Sequence, residues 1–178
     1  MTRVLAILPV LAASLAMEAG AASAARAPEF THRQAAEWIN SRPLTLENLR
    51  GQVVLVEFWT YGCSNCRNTM PWLKAAHARY RDQGFVVVSV HTPEFEEERD
   101  AGNVRAAVKR LGIEYPVMLD NDFSYWKAFN NRYWPAFYLI DRQGRVQARA
   151  FGELHAGTAR GDDFEKTIQS LLAEKPAN

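Results

Sequence analysis

From Val53 to Trp59 every position is apolar except Glu57. A run of that length, rich in β-branched and aromatic residues, predicts a strand covered on both faces. Phe85 to Val90 repeats the pattern and predicts a second buried strand. Between them, from Met70 onward, Leu73, His77 and Tyr80 recur at helical intervals, with Pro71 placed to kink the helix early and Gly84 closing it. Thr92-Pro93 breaks the second strand; Val104, Ala107, Val108 and Leu111 then mark an amphipathic helix ending at Gly112. Val117 to Leu119 predicts a short strand, and Asp120-Asn121-Asp122 a turn and N-cap for a helix through Trp126 and Phe129. Ala136 to Ile140 is a third long strand. Asp141-Arg142-Gln143-Gly144 signals a hairpin that pairs Val146 to Phe151 antiparallel with it, and Phe164, Ile168, Leu171 and Leu172 give the last helix one apolar face. Upstream, Gln34 to Asn40 predicts a short helix with Ala35, Trp38 and Ile39 inward, and the small, polar segment before Thr31 reads as a disordered leader.

Strands alternating with helices and ending in a hairpin predict an α/β sandwich: a mixed central sheet with helices on both faces, the early strands parallel and the last pair antiparallel. Sheets of this kind place their sites at the carboxyl end of a central strand. The chain starts Met1-Thr2-Arg3, continues with an apolar stretch from Val4 to Ala16, and reaches Ala22-Ser23-Ala24. The apolar stretch is short of the roughly 20 residues of a membrane span, so it predicts a signal peptide over 1–24 and a single domain over 25–178, with an uncleaved anchor as the alternative. Export to the periplasm or beyond follows, where disulfides are permitted. The formal net charge of +1 offers no basic excess for nucleic acid or an anionic membrane.

The 2 cysteines, Cys63 and Cys66, fall where the first long strand hands over to a helix. Unpaired N–H groups and the positive end of the helix dipole favour a thiolate there, lowering its pKa from about 8.5 into the range of roughly 3.5 to 7.5. A loop of two residues is too short to staple a fold, so the pair reads as a reactive dithiol. Zinc is disfavoured because no second Cys pair or spaced His pair supplies its remaining ligands. Copper(I), held by the two sulfurs with His91 or His155, stays open as a binding-protein alternative. His77 reads as a packed core residue, His91 at a strand end as either a neighbour of the site or a loop residue without a role, and the acidic run Glu94 to Asp100 as a solvated helix start.

Glu57-Phe58-Trp59 followed by Cys63-x-x-Cys66, Pro71 five residues later, and Trp134-Pro135 before a strand resembles the thioredoxin fold. The extra helix and strand between Val86 and Gly112 are similar to the exported thiol-disulfide oxidoreductases of the TlpA and ResA type. Phe58-Trp59-Thr60-Tyr61-Gly62-Cys63, His91-Thr92-Pro93-Glu94-Phe95 and Tyr133-Trp134-Pro135-Ala136 look closer still to the extracytoplasmic thioredoxin-like domain of DipZ proteins. There the domain is joined to a membrane electron carrier; here it would act alone.

The resemblance implies a protein dithiol-disulfide oxidoreductase that needs no cofactor beyond its own disulfide. Cys63 would attack, Cys66 would resolve, Glu57 would be the buried acid exchanging a proton with Cys66, and Pro135 a cis-proline facing the dithiol. Tyr61 and Trp134 are the candidates for a substrate surface. Implied partners are protein disulfides and a membrane thiol donor of the CcdA/DsbD type, with reduction the favoured direction. Ser64-Asn65 stands where thioredoxin has Gly-Pro, and Gly62 where it has Trp, so the redox potential stays open. Thr60, three residues before Cys63, matches half of the peroxiredoxin motif, but Val56 replaces its Pro; a thiol peroxidase is the third alternative.

Overall fold

The computed structural model describes residues 24–174, so the predicted signal peptide lies outside the described residues but for Ala24. Val53–Trp59 forms β2, a central strand with all seven residues buried. It pairs in parallel with β3 (Phe85–His91), which pairs in parallel with β4 (Val117–Leu119). On its other side β2 pairs antiparallel with β5 (Ala136–Ile140), which turns back into β6 (Val146–Phe151). A two-residue strand β1 (Trp38–Ile39) closes the edge, for an order of β1-β4-β3-β2-β5-β6. This is the expected mixed sheet.

Side chains alternate across the sheet, so the continuous apolar run of β2 feeds two cores. Val53, Leu55 and Trp59 face one layer with helices α1 (Ser64–Tyr80), α2 (Ala101–Arg110) and α4 (Ala159–Ala173), which contribute Leu73, Val104, Val108, Phe164 and Ile168. Val54, Val56 and Phe58 face the other layer, made by α3 (Ser124–Ala128) and the chain before β2, with Phe30, Trp38, Leu46 and Tyr125. Glu57 and Ser89, paired in register, point into the first layer. Helix starts are capped as their sequences suggest: Asp100 accepts from Asn103 N at 2.8 Å and Thr158 from Gly161 N at 3.2 Å. At the β5–β6 turn Asp141 Oδ1 accepts from Gln143 N and Arg145 N, and Gly144 takes a φ of 77° that a side chain would disfavour.

Two local expectations change. The helix expected over Gln34 to Asn40 is a 3₁₀ turn, Ala35–Glu37, followed by β1. Seven residues are too few to sustain a helix alone, and the open edge of β4 gives Trp38 and Ile39 a partner strand. The expected disordered leader lies instead along the second layer: Ala27 N donates to Gly144 O at 2.9 Å, Arg26 bridges to Arg145, and Phe30 is buried. Helix α1 starts at Ser64, directly after Cys63 as the strand–helix junction predicts, and continues through Pro71.

Candidate functional site

The dithiol sits at the carboxyl end of β2, where the chain turns into α1. Cys63 is the N-cap of that helix, and its Sγ accepts the Cys66 N–H at 3.2 Å. The two cysteines are joined in a disulfide with a Cα separation of 5.3 Å. Cys66 is fully buried among core residues, whereas Cys63 is partly exposed. That asymmetry makes one sulfur reachable by a partner and keeps the other behind it.

Glu57 lies in the same buried layer as Cys66, with no exposed surface. Ser89 Oγ donates to its Oε2 at 2.5 Å, and Oε1 has no partner among the described residues. Burial pushes this carboxyl up to about 7, the Ser89 hydrogen bond pulling only partly the other way. The Trp134–Pro135 peptide is cis. Trp134 donates its indole N–H to Thr92 O at 3.1 Å and packs on Trp126 at 4.3 Å between ring centroids. Tyr61 stacks on the His91 ring at 5.6 Å and donates its hydroxyl to Glu97 O at 3.0 Å. Both Tyr61 and Trp134 are half-buried and pack against the core that holds Cys66.

His91 is not a loop residue. It ends β3, fully buried between Trp59 and Tyr61, with Nε2 3.4 Å from Thr60 Oγ1. Burial pulls its pKa down to about 4, so it is neutral around pH 7. His77 packs edge-on against Tyr115 but is half-buried and not part of the core expected of it. His155 pairs with Glu153. Among the described residues the one grouping of three potential metal-ligand atoms within 4.8 Å is His32, Asp120 and Asp122, and neither sulfur belongs to it. Its Asp120 is already saturated: Oδ1 accepts from Tyr125 N, Oδ2 from Trp126 N and from Thr92 Oγ1.

The acidic run is the largest departure from expectation. Glu96–Arg99 forms a 3₁₀ turn ahead of α2, and within it Glu98 is 1% exposed, not solvated. Its carboxylate accepts from Gly62 N at 2.8 Å, Glu94 N at 2.7 Å and Phe95 N at 3.0 Å. A charge run does not disclose which of its members turns inward; the glycine before Cys63 was the one available hint. Arg67, on the first turn of α1, donates to Tyr61 O and Gly62 O at 2.8 Å each. Ser89, inconspicuous in a strand, also went unmarked. So did an exposed aromatic rim, with Phe95 near Gly62, and Tyr133 next to Trp134 and 5.7 Å from Phe151.

Comparison with known proteins finds relatives among thioredoxin-like proteins. DipZ from Mycobacterium tuberculosis is 45% identical over 119 residues, 65% of this chain but 17% of DipZ, so the chain spans less than a fifth of that relative. The thiol-disulfide oxidoreductase YkuV from Bacillus subtilis is 32% identical over 148 residues, covering 83% of this chain and 94% of YkuV. Among solved structures, a thioredoxin-like protein in the oxidized form matches with a TM-score of 0.70 and 31% identity over 85% of this chain and 97% of that one. A thiol-disulfide isomerase from Corynebacterium glutamicum matches at 0.67 and 25%, covering 84% and 98%. The AhpC/TSA family matches residues 24–149, and with its thioredoxin-like fold and its Cys63–Cys66 pair at the head of α1 the chain belongs to that family.

Proposed function

We propose that the protein is an exported thiol-disulfide oxidoreductase that reduces protein disulfides and is recharged by a membrane thiol donor of the CcdA/DsbD type. The observation that carries this reading is the pairing of a partly exposed Cys63 sulfur at a helix N-terminus with a buried Cys66 behind it. In the reduced state the Cys63 thiolate attacks a client disulfide, forming a mixed disulfide and releasing one client thiolate. Cys66 then attacks the Cys63 sulfur, restoring the internal disulfide and releasing the second client thiol. Glu57 takes the proton that Cys66 gives up as it attacks and passes it on to solvent, from which the departing client thiolates are protonated, so that the client gains the two electrons and two protons the dithiol loses. A donor dithiol reverses the internal oxidation. No bound cofactor is required because the two sulfurs carry both electrons. Tyr61 and Trp134, half-buried against the core that holds Cys66, serve as the surface for the client. Export is supported by the apolar N-terminal pattern ending in Ala22-Ser23-Ala24. Among the described residues no helix is long and apolar enough to cross a membrane.

The test is a reduced Cys66→Ser variant exposed to extracts of the exported fraction. It should accumulate mixed disulfides through Cys63 that dithiothreitol releases, whereas Cys63→Ser should trap none. Absence of trapping, together with a wild-type protein unable to reduce insulin, would overturn the reading. A potential near about −270 mV supports the reducing direction, and one near about −120 mV reverses it.

A further inference from the structure

Position 62 is the residue immediately before the nucleophile, and the structure explains why it is glycine. A Cβ built there would collide with Glu98 Oε1, although the position is exposed to solvent on its other side. The Glu98 carboxylate therefore occupies the place a side chain would take. It is buried, it holds the N–H groups of Gly62, Glu94 and Phe95, and no cation pairs with it among the ion pairs of the described residues. Burial alone would favour its neutral form. The Thr60 hydroxyl and the three backbone N–H groups outweigh that and hold its carboxyl below the ordinary range, so it stays charged. From the opposite side the Arg67 guanidinium grips the Tyr61 and Gly62 carbonyls. The peptide that leads into Cys63 is thus clamped between an anion and a cation.

We propose that Glu98 is a positioning residue for the dithiol: its carboxylate fixes the Gly62 peptide and keeps a negative charge one residue from Cys63, biasing the pair towards the disulfide. A negative charge held on the backbone one residue before Cys63 opposes formation of its thiolate, and a less stable thiolate makes the dithiol a stronger reductant. The other titratable groups around the loop are Arg67 from α1, neutral His91 from β3 acting through Thr60, the Tyr61 hydroxyl, Glu97 from the same 3₁₀ turn, and Asp100 and Arg110 at the two ends of α2. Glu98 is the one whose carboxylate bonds the loop itself.

The inference rests on the dithiol reading above, and equilibration of the full chain with glutathione separates the two. Glu98→Gln should move the equilibrium about tenfold towards the dithiol, or about 30 mV, and lower the Cys63 pKa read from thiolate absorbance. Gly62→Ala should shift it in the same direction by displacing the carboxylate. On a Glu98→Ala background, where nothing remains to collide with, Gly62→Ala should add less than about twofold. Should Glu98→Gln fail to fold, the two Gly62→Ala comparisons decide by the same criterion. A Glu98→Gln protein within twofold of wild type, or equal Gly62→Ala effects on both backgrounds, overturns the proposal. A wild-type protein that does not exchange with glutathione overturns the dithiol reading itself.

Discussion

Ser89 on β3 donates its hydroxyl to Glu57 on β2 at 2.5 Å, and this is the only hydrogen bond the buried carboxyl makes among the described residues. One neutral donor does not replace the hydration that a carboxylate loses inside an apolar layer. This acid, buried in the layer that also holds Cys66, therefore titrates close to neutral pH.

Glu57 should make the fold less stable as pH rises. Its carboxyl titrates near 4.5 when unfolded and about 7 in the fold. Below both values the two states are equally protonated. Between them the unfolded chain ionises first, and above about 7 the loss is complete, on the order of 3 kcal/mol. Glu57→Gln is expected to raise stability by about that amount at pH 8 and to leave it unchanged at pH 4, as measured by urea unfolding. It should also slow the Cys66 resolution step by about 100-fold near pH 7. Equal stability changes at both pH values would show that Glu57 is not buried ionisable in solution.

His91 has the opposite sign. Its ring titrates at 6.5 when unfolded and at about 4 between Trp59 and Tyr61. As pH falls from 6.5 to 4 the unfolded chain gains the proton that the fold refuses, and about 3 kcal/mol is lost. The His91 ring resonances should not move above pH 5 in an NMR titration, and His91→Asn should flatten the acid limb of the stability curve.

His32 ties the N-terminal segment to the body through Glu37 at 3.1 Å, Asp120 at 3.2 Å and Asp122 at 3.3 Å. Burial works against its protonation, but these carboxylates raise its pKa above 6.5. Its contribution is therefore present below pH 6.5 and lost as pH rises through the raised value. Hydrogen exchange at Ala27 N, which bonds Gly144 O, should quicken at high pH, and His32→Gln should reproduce that at pH 6 with a loss of about 1 kcal/mol. Exchange at Ala27 that ignores both changes would count against this tie.

Leu73 separates folding from chemistry. It is fully buried on α1, in the layer that also holds Cys66. Leu73→Ala should destabilise the fold by about 2–5 kcal/mol in chemical denaturation. The glutathione equilibrium of the folded fraction should stay within about twofold of wild type, because no charge near Cys63 changes.

How much was legible from sequence depended on how local each feature is. The buried run of β2, the hairpin at Asp141 to Gly144 and the position of Cys63 and Cys66 at a strand–helix junction are written in neighbouring residues, and each formed where expected. Glu57 stood out as the one charge in an apolar strand. Trp134-Pro135 was legible by resemblance to a family pattern, not by any local preference of the dipeptide.

The rest required the chain to return from a distance. Glu98 is one acid in a run of similar acids, and besides its own neighbours Glu94 and Phe95 it is held inward by Gly62, 36 positions away in sequence. The segment around Phe30 is polar in composition but finds β6 and α3, while Trp38 leaves a short helical pattern to pair with Met118. Periodicity and composition record what a residue prefers among its neighbours. Which unpaired edge or exposed N–H it meets is decided by packing, because the free energy of burying and pairing such groups exceeds the small local preferences that sequence patterns express.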